Sequence, residues 1–410
     1  MKIRLTSVLL FALVIPFVMT YRISPGETPF WLFGLVFLLL FGYTLLDYLK
    51  FPERLYYKLK NITLWIVIAS TIGAAFYSVI SVRHKVAPVY NVHDIILQQE
   101  AAVNFLVHGK NPYATSYFGT PMEAFHYSDT EINPALYYFV MEPLYVISAV
   151  PFYVGMIHTI GYFDARVPLF ILFFVGLIVF SSIIKEKEDR LLALTLFAFN
   201  PAQLGYTLEG RSDAYVLGFL ITALVLLYKK KFGWGGLFMA LSFCVKQSVW
   251  PILPFYVAYL YFVNKSVKKT LLNLIPFLVV NAAIILPFFF WNQKAFIDST
   301  IGYLSGSVPH SYPIAGYGFG MLLNSFGIIK NVHSYYPFTV WQIIVCLPLL
   351  GYFLFLQKKD NVFKTIILLY ALFLFVFWYL SRYFNNSHLG YISMLLILSY
   401  FWPQEHAKKT

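Results

Sequence analysis

The chain has 410 residues, 60% of them hydrophobic, 20% aromatic and only 12% charged, with a net charge of +12. That apolar excess is far more than a soluble core needs, and it predicts an all-α polytopic membrane protein, a single transmembrane domain over 1–410. The positive charge reads through topology, because Lys and Arg collect in cytoplasmic loops; it assigns membrane lipids and no nucleic acid as partners.

In chain order, Lys2 and Arg4 precede the apolar run Val8 to Met19 as in a signal peptide. No small-residue cleavage site follows, and Tyr21-Arg22 make a poor one, so an uncleaved first span is expected. A span needs roughly 20 apolar residues. Candidates are 6–21, 30–49, 62–82, 166–184, 190–206, 213–228, 233–247, 250–263, 270–291, 338–356, 362–380 and 388–403. The apolar stretch 134–160 is interrupted by Pro143 and Pro151. If it does not cross, the clusters Lys2/Arg4, Lys50 to Lys60, Lys185 to Arg190, Lys229 to Lys231, Lys265 to Lys269, Lys358/Lys359 and Lys408/Lys409 all share one side. That arrangement gives about 12 transmembrane helices with both termini cytoplasmic. Two external segments result, 83–165 with interfacial or re-entrant helices and 291–337, the latter rich in Gly, Ser, Tyr and His. The cysteines Cys244 and Cys346 each sit in an apolar run, which indicates neither a disulfide framework nor a cysteine metal site.

The polar stretch Tyr90 to Tyr113 interrupts this pattern. Asn91 is a good N-cap, His93 and Asp94 fall in the first turn, and Gly109 with Asn111-Pro112 closes the helix. At 100° per residue His93, Asp94, Gln98, Glu100, Asn104 and His108 share one side, so the helix is expected to lie on a membrane surface with that edge in water. The outer ends of the spans collect the other unusual ionisable groups, among them Asp164, Arg166, Glu209, Arg211, Asp213, Lys246, His310, Arg382 and His388. Ionisable groups at membrane depth are either paired or functional. Arg166, Arg211, Lys246 and Arg382 in one cleft would receive a phosphate or pyrophosphate; the plainer reading pairs Asp164 with Arg166, and Glu209 or Asp213 with Arg211. Lys246 has no carboxylate within four residues, so its partner comes from elsewhere in the chain or from a lipid phosphate.

The motifs Gly109-x-Asn111-Pro112-Tyr113, Asn133-Pro134 with Tyr137-Tyr138, Asn200-Pro201, Glu209-Gly210-Arg211-Ser212-Asp213, Val245-Lys246-Gln247 and Ser381-Arg382-Tyr383 follow an acidic helix after an early span. In order and sidedness they resemble the GT-C superfamily of polyprenyl-phosphate-sugar-dependent glycosyltransferases, most nearly the family 87 mannosyltransferases, over roughly residues 62 to 400. The resemblance implies that Asp94 is the catalytic base. His93-Asp94 offers one carboxylate where several branches present a pair, which leaves a divalent metal without its usual anchor, and no cofactor is expected. The first two spans have no counterpart in that family.

One carboxylate suffices chemically. Departure of a phosphate needs no obligatory general acid, so a single base that takes the acceptor proton supports an inverting displacement, with cations on the leaving phosphate. Asp94 fits the base, and Lys246, Arg211 and Arg382 fit the cations; Arg166, Asp213, His388 and His93 complete the expected substrate-binding set. His310, in the flexible Gly-Ser-Val-Pro-His-Ser-Tyr-Pro stretch, is a second candidate that would orient the acceptor or assist proton transfer. The expected function is a plasma-membrane hexosyltransferase, moving mannose from a polyprenyl-phosphate donor to a lipid-linked or glycan acceptor on the extracytoplasmic face. A transporter or flippase for a phosphate-bearing lipid or sugar is the alternative. It would place charges at mid-bilayer and show related halves. A non-catalytic assembly subunit is the third reading.

Overall fold

The computed structural model describes residues 3–20, 30–86, 89–129 and 131–404, and Lys2, Tyr21, Arg22, Lys408 and Lys409 of the topology reading lie outside them. Among the described residues the regular structure is helical, apart from a single two-residue parallel ladder that pairs Ala315 with Tyr383 and Gly316 with Phe384. Every predicted span overlaps a helix, as continuous apolar sequence dictates. Among the described residues five helices are long and apolar enough to cross a bilayer: Glu53–Val86, Pro143–Ile160, Arg166–Ile183, Val267–Trp291 and Phe338–Lys359. Others predicted as spans are short, such as Lys187–Ala198, Phe232–Phe243 and Leu253–Asn264 at 12 residues each. The reason lies in punctuation: the first ends before Asn200-Pro201, the second ends in the link that carries Lys246, and the third begins only after the 3-10 turn Gln247–Ile252.

Two antiparallel helices set the frame. Glu53–Val86, with a π turn at Ala69–Gly73, packs Phe76 on Phe170 of Arg166–Ile183 at a ring separation of 4.7 Å. At one end Lys187 Nζ lies 3.0 Å from Glu53. At the other end Arg83 bridges Glu100 at 2.6 Å and Asp164 at 2.9 Å. The chain from 87 to 165 therefore leaves and returns at the same end. Its broken helix, Pro143–Ile147 followed by Val150–Ile160, joins that end too, where Gln99 Nε2 donates to the Tyr145 carbonyl at 2.5 Å.

Small residues allow the central crossing. A Cβ on Gly218 would stand 2.6 Å from the Leu172 carbonyl oxygen, so only glycine lets Asp213–Tyr228 approach Arg166–Ile183 this closely. The helices Leu5–Thr20 and Phe30–Leu45 are joined to the frame by a buried knot. There Asp47 accepts from Lys60 at 2.7 Å, from Tyr56 at 2.6 Å, from Ser7 at 2.7 Å and from the Arg4 amide at 2.9 Å. With both carboxylate oxygens of Asp47 accepting two hydrogen bonds each, the knot meets the condition under which a buried ion pair is tolerated.

Candidate functional site

The helix of the polar stretch spans Asp94–Val107, and its N-cap is His93; Asn91 instead takes a left-handed turn with φ of 47°. Of the expected watery edge, Asn104 and His108 are exposed and His93, Asp94 and Glu100 half-buried, but Gln98 is covered. Gln98 and Gln99 are fully buried, and Gln98 Nε2 donates to the carbonyls of Ala135 and Tyr138 at 2.6 Å each. Helical periodicity separates polar from apolar sides but does not say whether the polar side meets water or loop carbonyls; here loop 133–138 covers it.

That loop aims the acid. Asn133 caps the short turn Pro134–Leu136 through Oδ1, which accepts from the Ala135 amide at 2.9 Å, and its Nδ2 donates to Asp94 Oδ2 at 2.9 Å. His93 Nδ1 lies 2.6 Å from Asp94 Oδ1 and 3.3 Å from the Ile95 amide. One ring nitrogen cannot donate and accept at once; the shorter, charge-assisted contact assigns its proton toward Asp94. Burial pushes the Asp94 carboxyl up, but the His93 charge and the hydrogen bonds from His93, Asn133 and Ile95 outweigh it and hold the group down at about 2. His93 is itself fixed, since its amide donates to the Glu209 carbonyl at 2.7 Å.

Asp94 and His93 line a cavity of about 930 Å³ that also receives Arg211, Asp213, Lys246, Arg382 and His388. The short helix Leu204–Glu209 ends at Gly210 in a left-handed turn, after which Arg211 lies over the Tyr206 ring at 4.3 Å with Nε 3.5 Å from Glu209. Lys246, in the extended link between two helices, finds its partner 33 residues away: Nζ lies 2.7 Å from Asp213 Oδ1. His388 Nδ1 accepts from the Asn385 amide at 2.9 Å in a capping box, which leaves the proton on Nε2.

Three expected contributors do other work. Arg166 is fully buried outside the cavity, where it donates to Asp164 at 2.9 and 2.7 Å and to the carbonyls of Asn91 and Val79 at 3.0 and 3.2 Å. Spacing could not separate this from a cavity role, because both lie at the same helix end. Arg382 reaches the cavity wall, yet its guanidinium is committed to carbonyls of Tyr312, of Ser334 at 2.9 Å and of Val332 at 3.3 Å. His310 is exposed and stacked on Tyr137 at 3.9 Å, away from the cavity lining.

Sequence reading missed Asn133, Gln247, Tyr303, Tyr312 and Tyr383 as lining residues. Asn133, Gln247 and Tyr383 carried a signal, since each stands in a motif of the resemblance; Tyr303 and Tyr312 carried none, since 32 tyrosines are spread along the chain. Among the described residues no three His, Cys, Asp or Glu side chains gather as metal ligands. No protein-family model, curated protein or solved structure matches the chain.

Proposed function

We propose that this cavity transfers a hexose, mannose by resemblance, from a polyprenyl-phosphate donor to an acceptor hydroxyl with inversion. Asp94 takes the acceptor proton. The acceptor oxygen bonds to the anomeric carbon as the bond from that carbon to the phosphate oxygen breaks, and the lipid phosphate departs with the electron pair. The observation that carries this reading is an ionised carboxylate, aimed by His93 and Asn133, in one 930 Å³ cavity with Arg211 and Lys246. A carboxylate held at about 2 is a weak base in the ground state. It suits a late proton transfer, when the attacking oxygen is already bonded to carbon and strongly acidic.

The cations keep capacity for a phosphate. Asp213 engages one of the three ammonium donors of Lys246, and the outer nitrogens of Arg211 hold no side-chain or backbone acceptor among the described residues. The apolar chain of the donor would leave past Trp250, Gln342 and Phe377, which line the same cavity near the helix Phe338–Lys359.

A topology of about 12 crossings with the cavity outside follows from the basic loops. Parity supports it: Lys187 beside Glu53 and Arg4 beside Glu188 bring three basic clusters together. In the proposed topology two crossings, Glu53–Val86 and Arg166–Ile183, separate residues 53 and 187, and Pro143–Ile160, although long and apolar enough to cross, lies at one surface. The test is transfer of labelled mannose from decaprenyl-phosphate mannose by membranes containing the chain. Lys246→Ala and Arg211→Ala each raise the donor KM about tenfold or more, the effect of one charge-assisted hydrogen bond. Unchanged donor KM in both removes the phosphate site.

A further inference from the structure

Four tyrosines converge beside Asp94. Tyr312 is their hub, with ring centroids 6.1 Å from Tyr127, 6.1 Å from Tyr303 and 4.8 Å from Tyr383, and all four line the cavity. They come from three separate stretches of sequence, the first external segment, the second and the turn after Tyr379, so their meeting is a property of the fold. The hub is held rigidly. The Tyr312 carbonyl accepts from Arg382, its amide donates to the Tyr303 carbonyl at 3.2 Å, and the adjoining Ala315 and Gly316 pair with Tyr383 and Phe384. Burial raises the Tyr312 phenol above its usual range and the Asp94 charge raises it further, against contact with Asn385, the Arg211 charge and contact with Tyr127, which lower it. Burial raises Tyr303 as well, with Asp94 the next contributor.

We infer that this tyrosine basket is the acceptor subsite and that the acceptor is a sugar, seated on the Tyr312 and Tyr127 rings with its attacking hydroxyl turned to Asp94. The inference rests on the glycosyltransferase reading and adds the acceptor class to it. A pyranose has an apolar face of C–H groups and a rim of hydroxyls. Rings at mutual angles of 87°, 77° and 53° offer such a face several walls, and each phenol both donates and accepts at the rim. A plain lipid alcohol has one hydroxyl and no pyranose face, so it would use neither the several ring walls nor the several phenols. An extended peptide would need backbone donors and acceptors in sequence along one edge, and the ladder beside this wall is only two residues long.

The test uses the full chain in lipid nanodiscs and reads binding, so it does not depend on transfer activity. Methyl α-mannoside and methyl α-glucoside are followed by saturation-transfer difference NMR, and decaprenyl phosphate by tryptophan fluorescence. The expected result is that at least one glycoside binds wild type, that Tyr312→Ala weakens it tenfold or more, and that Tyr312→Phe, which keeps the ring, weakens it about threefold. Decaprenyl phosphate binds both variants as it binds wild type. Absence of glycoside binding to wild type, or equal binding to Tyr312→Ala, overturns the acceptor subsite. Loss of decaprenyl phosphate binding in wild type instead overturns the donor reading and leaves the glycoside arm to stand by itself. Mannobiose and octyl mannobioside separate the sources: equal affinity assigns a free glycan, and markedly tighter octyl binding assigns a lipid-linked one.

Discussion

Asp94→Asn is the sharpest perturbation because it changes charge while keeping shape. The amide retains one oxygen, which can accept from His93 or from Asn133 but not from both, whereas the carboxylate accepts at 2.6 and 2.9 Å respectively. Loss of one charge-assisted hydrogen bond costs about 1.5–3 kcal/mol of stability. A domain with about 5–15 kcal/mol in hand still folds. Loss of the base costs far more in rate, a factor of about 10² to 10⁴, equivalent to ~3–5.5 kcal/mol of barrier. Transfer of labelled mannose from decaprenyl-phosphate mannose is measured on nanodisc-reconstituted protein. Size-exclusion profile and melting temperature of wild type and variant are compared in parallel. A variant that folds normally and transfers within threefold of wild type refutes the role given to Asp94.

Asn133→Leu removes an aiming contact and leaves the carboxylate, so kcat should fall about tenfold with little change in donor KM, a split that steady-state kinetics resolves. Because Asp94 is held at about 2, its ionisation contributes stability that is present above its ordinary value near 3.8 and is lost as pH falls toward 2; between pH 5 and 8 it produces no acid limb in kcat/KM, which a pH profile checks. Glu142 behaves oppositely: burial pushes it up to about 8 against a hydrogen bond from Gln247, so the folded chain keeps a proton that the unfolded chain releases. Stability then declines as pH rises from about 4.5 toward 8, and Glu142→Gln flattens that slope in melting temperature. Arg83→Met leaves the Glu100 carboxylate only the Ala165 amide among the described residues, while Asp164 keeps Arg166, and costs about 3 kcal/mol, read as a fall in melting temperature.

The helices were legible because apolar runs tens of residues long admit little else in a membrane-type sequence. Asp94 was legible too, as an acid in a helix's first turn. What the sequence could not deliver was pairing across distance. Nothing near Lys246 names Asp213, and nothing near Arg382 says that it gathers loop carbonyls, whereas Arg166 with Asp164 and Arg211 with Glu209 are short-range pairs that the plainer sequence reading already contains. The polar edge of Asp94–Val107 misled for a related reason: glutamines facing water and glutamines facing buried carbonyls occupy the same helical positions.

The Arg382 clasp has a consequence for how this protein can vary. Its guanidinium gathers the carbonyls of Tyr312, Val332 and Ser334, and the Ile314 amide donates to the Val332 carbonyl at 2.8 Å. Both ends of the excursion 315–331 are thus tied at its root, and its own small core of Ile314, Leu323, Ile329 and Phe338 packs apart from the main one. Lengthening a loop whose ends are already joined adds little closure entropy. The tip around Gly327 is therefore a port where an epitope, a fluorophore site or a whole small domain could be spliced in, leaving the cavity wall undisturbed.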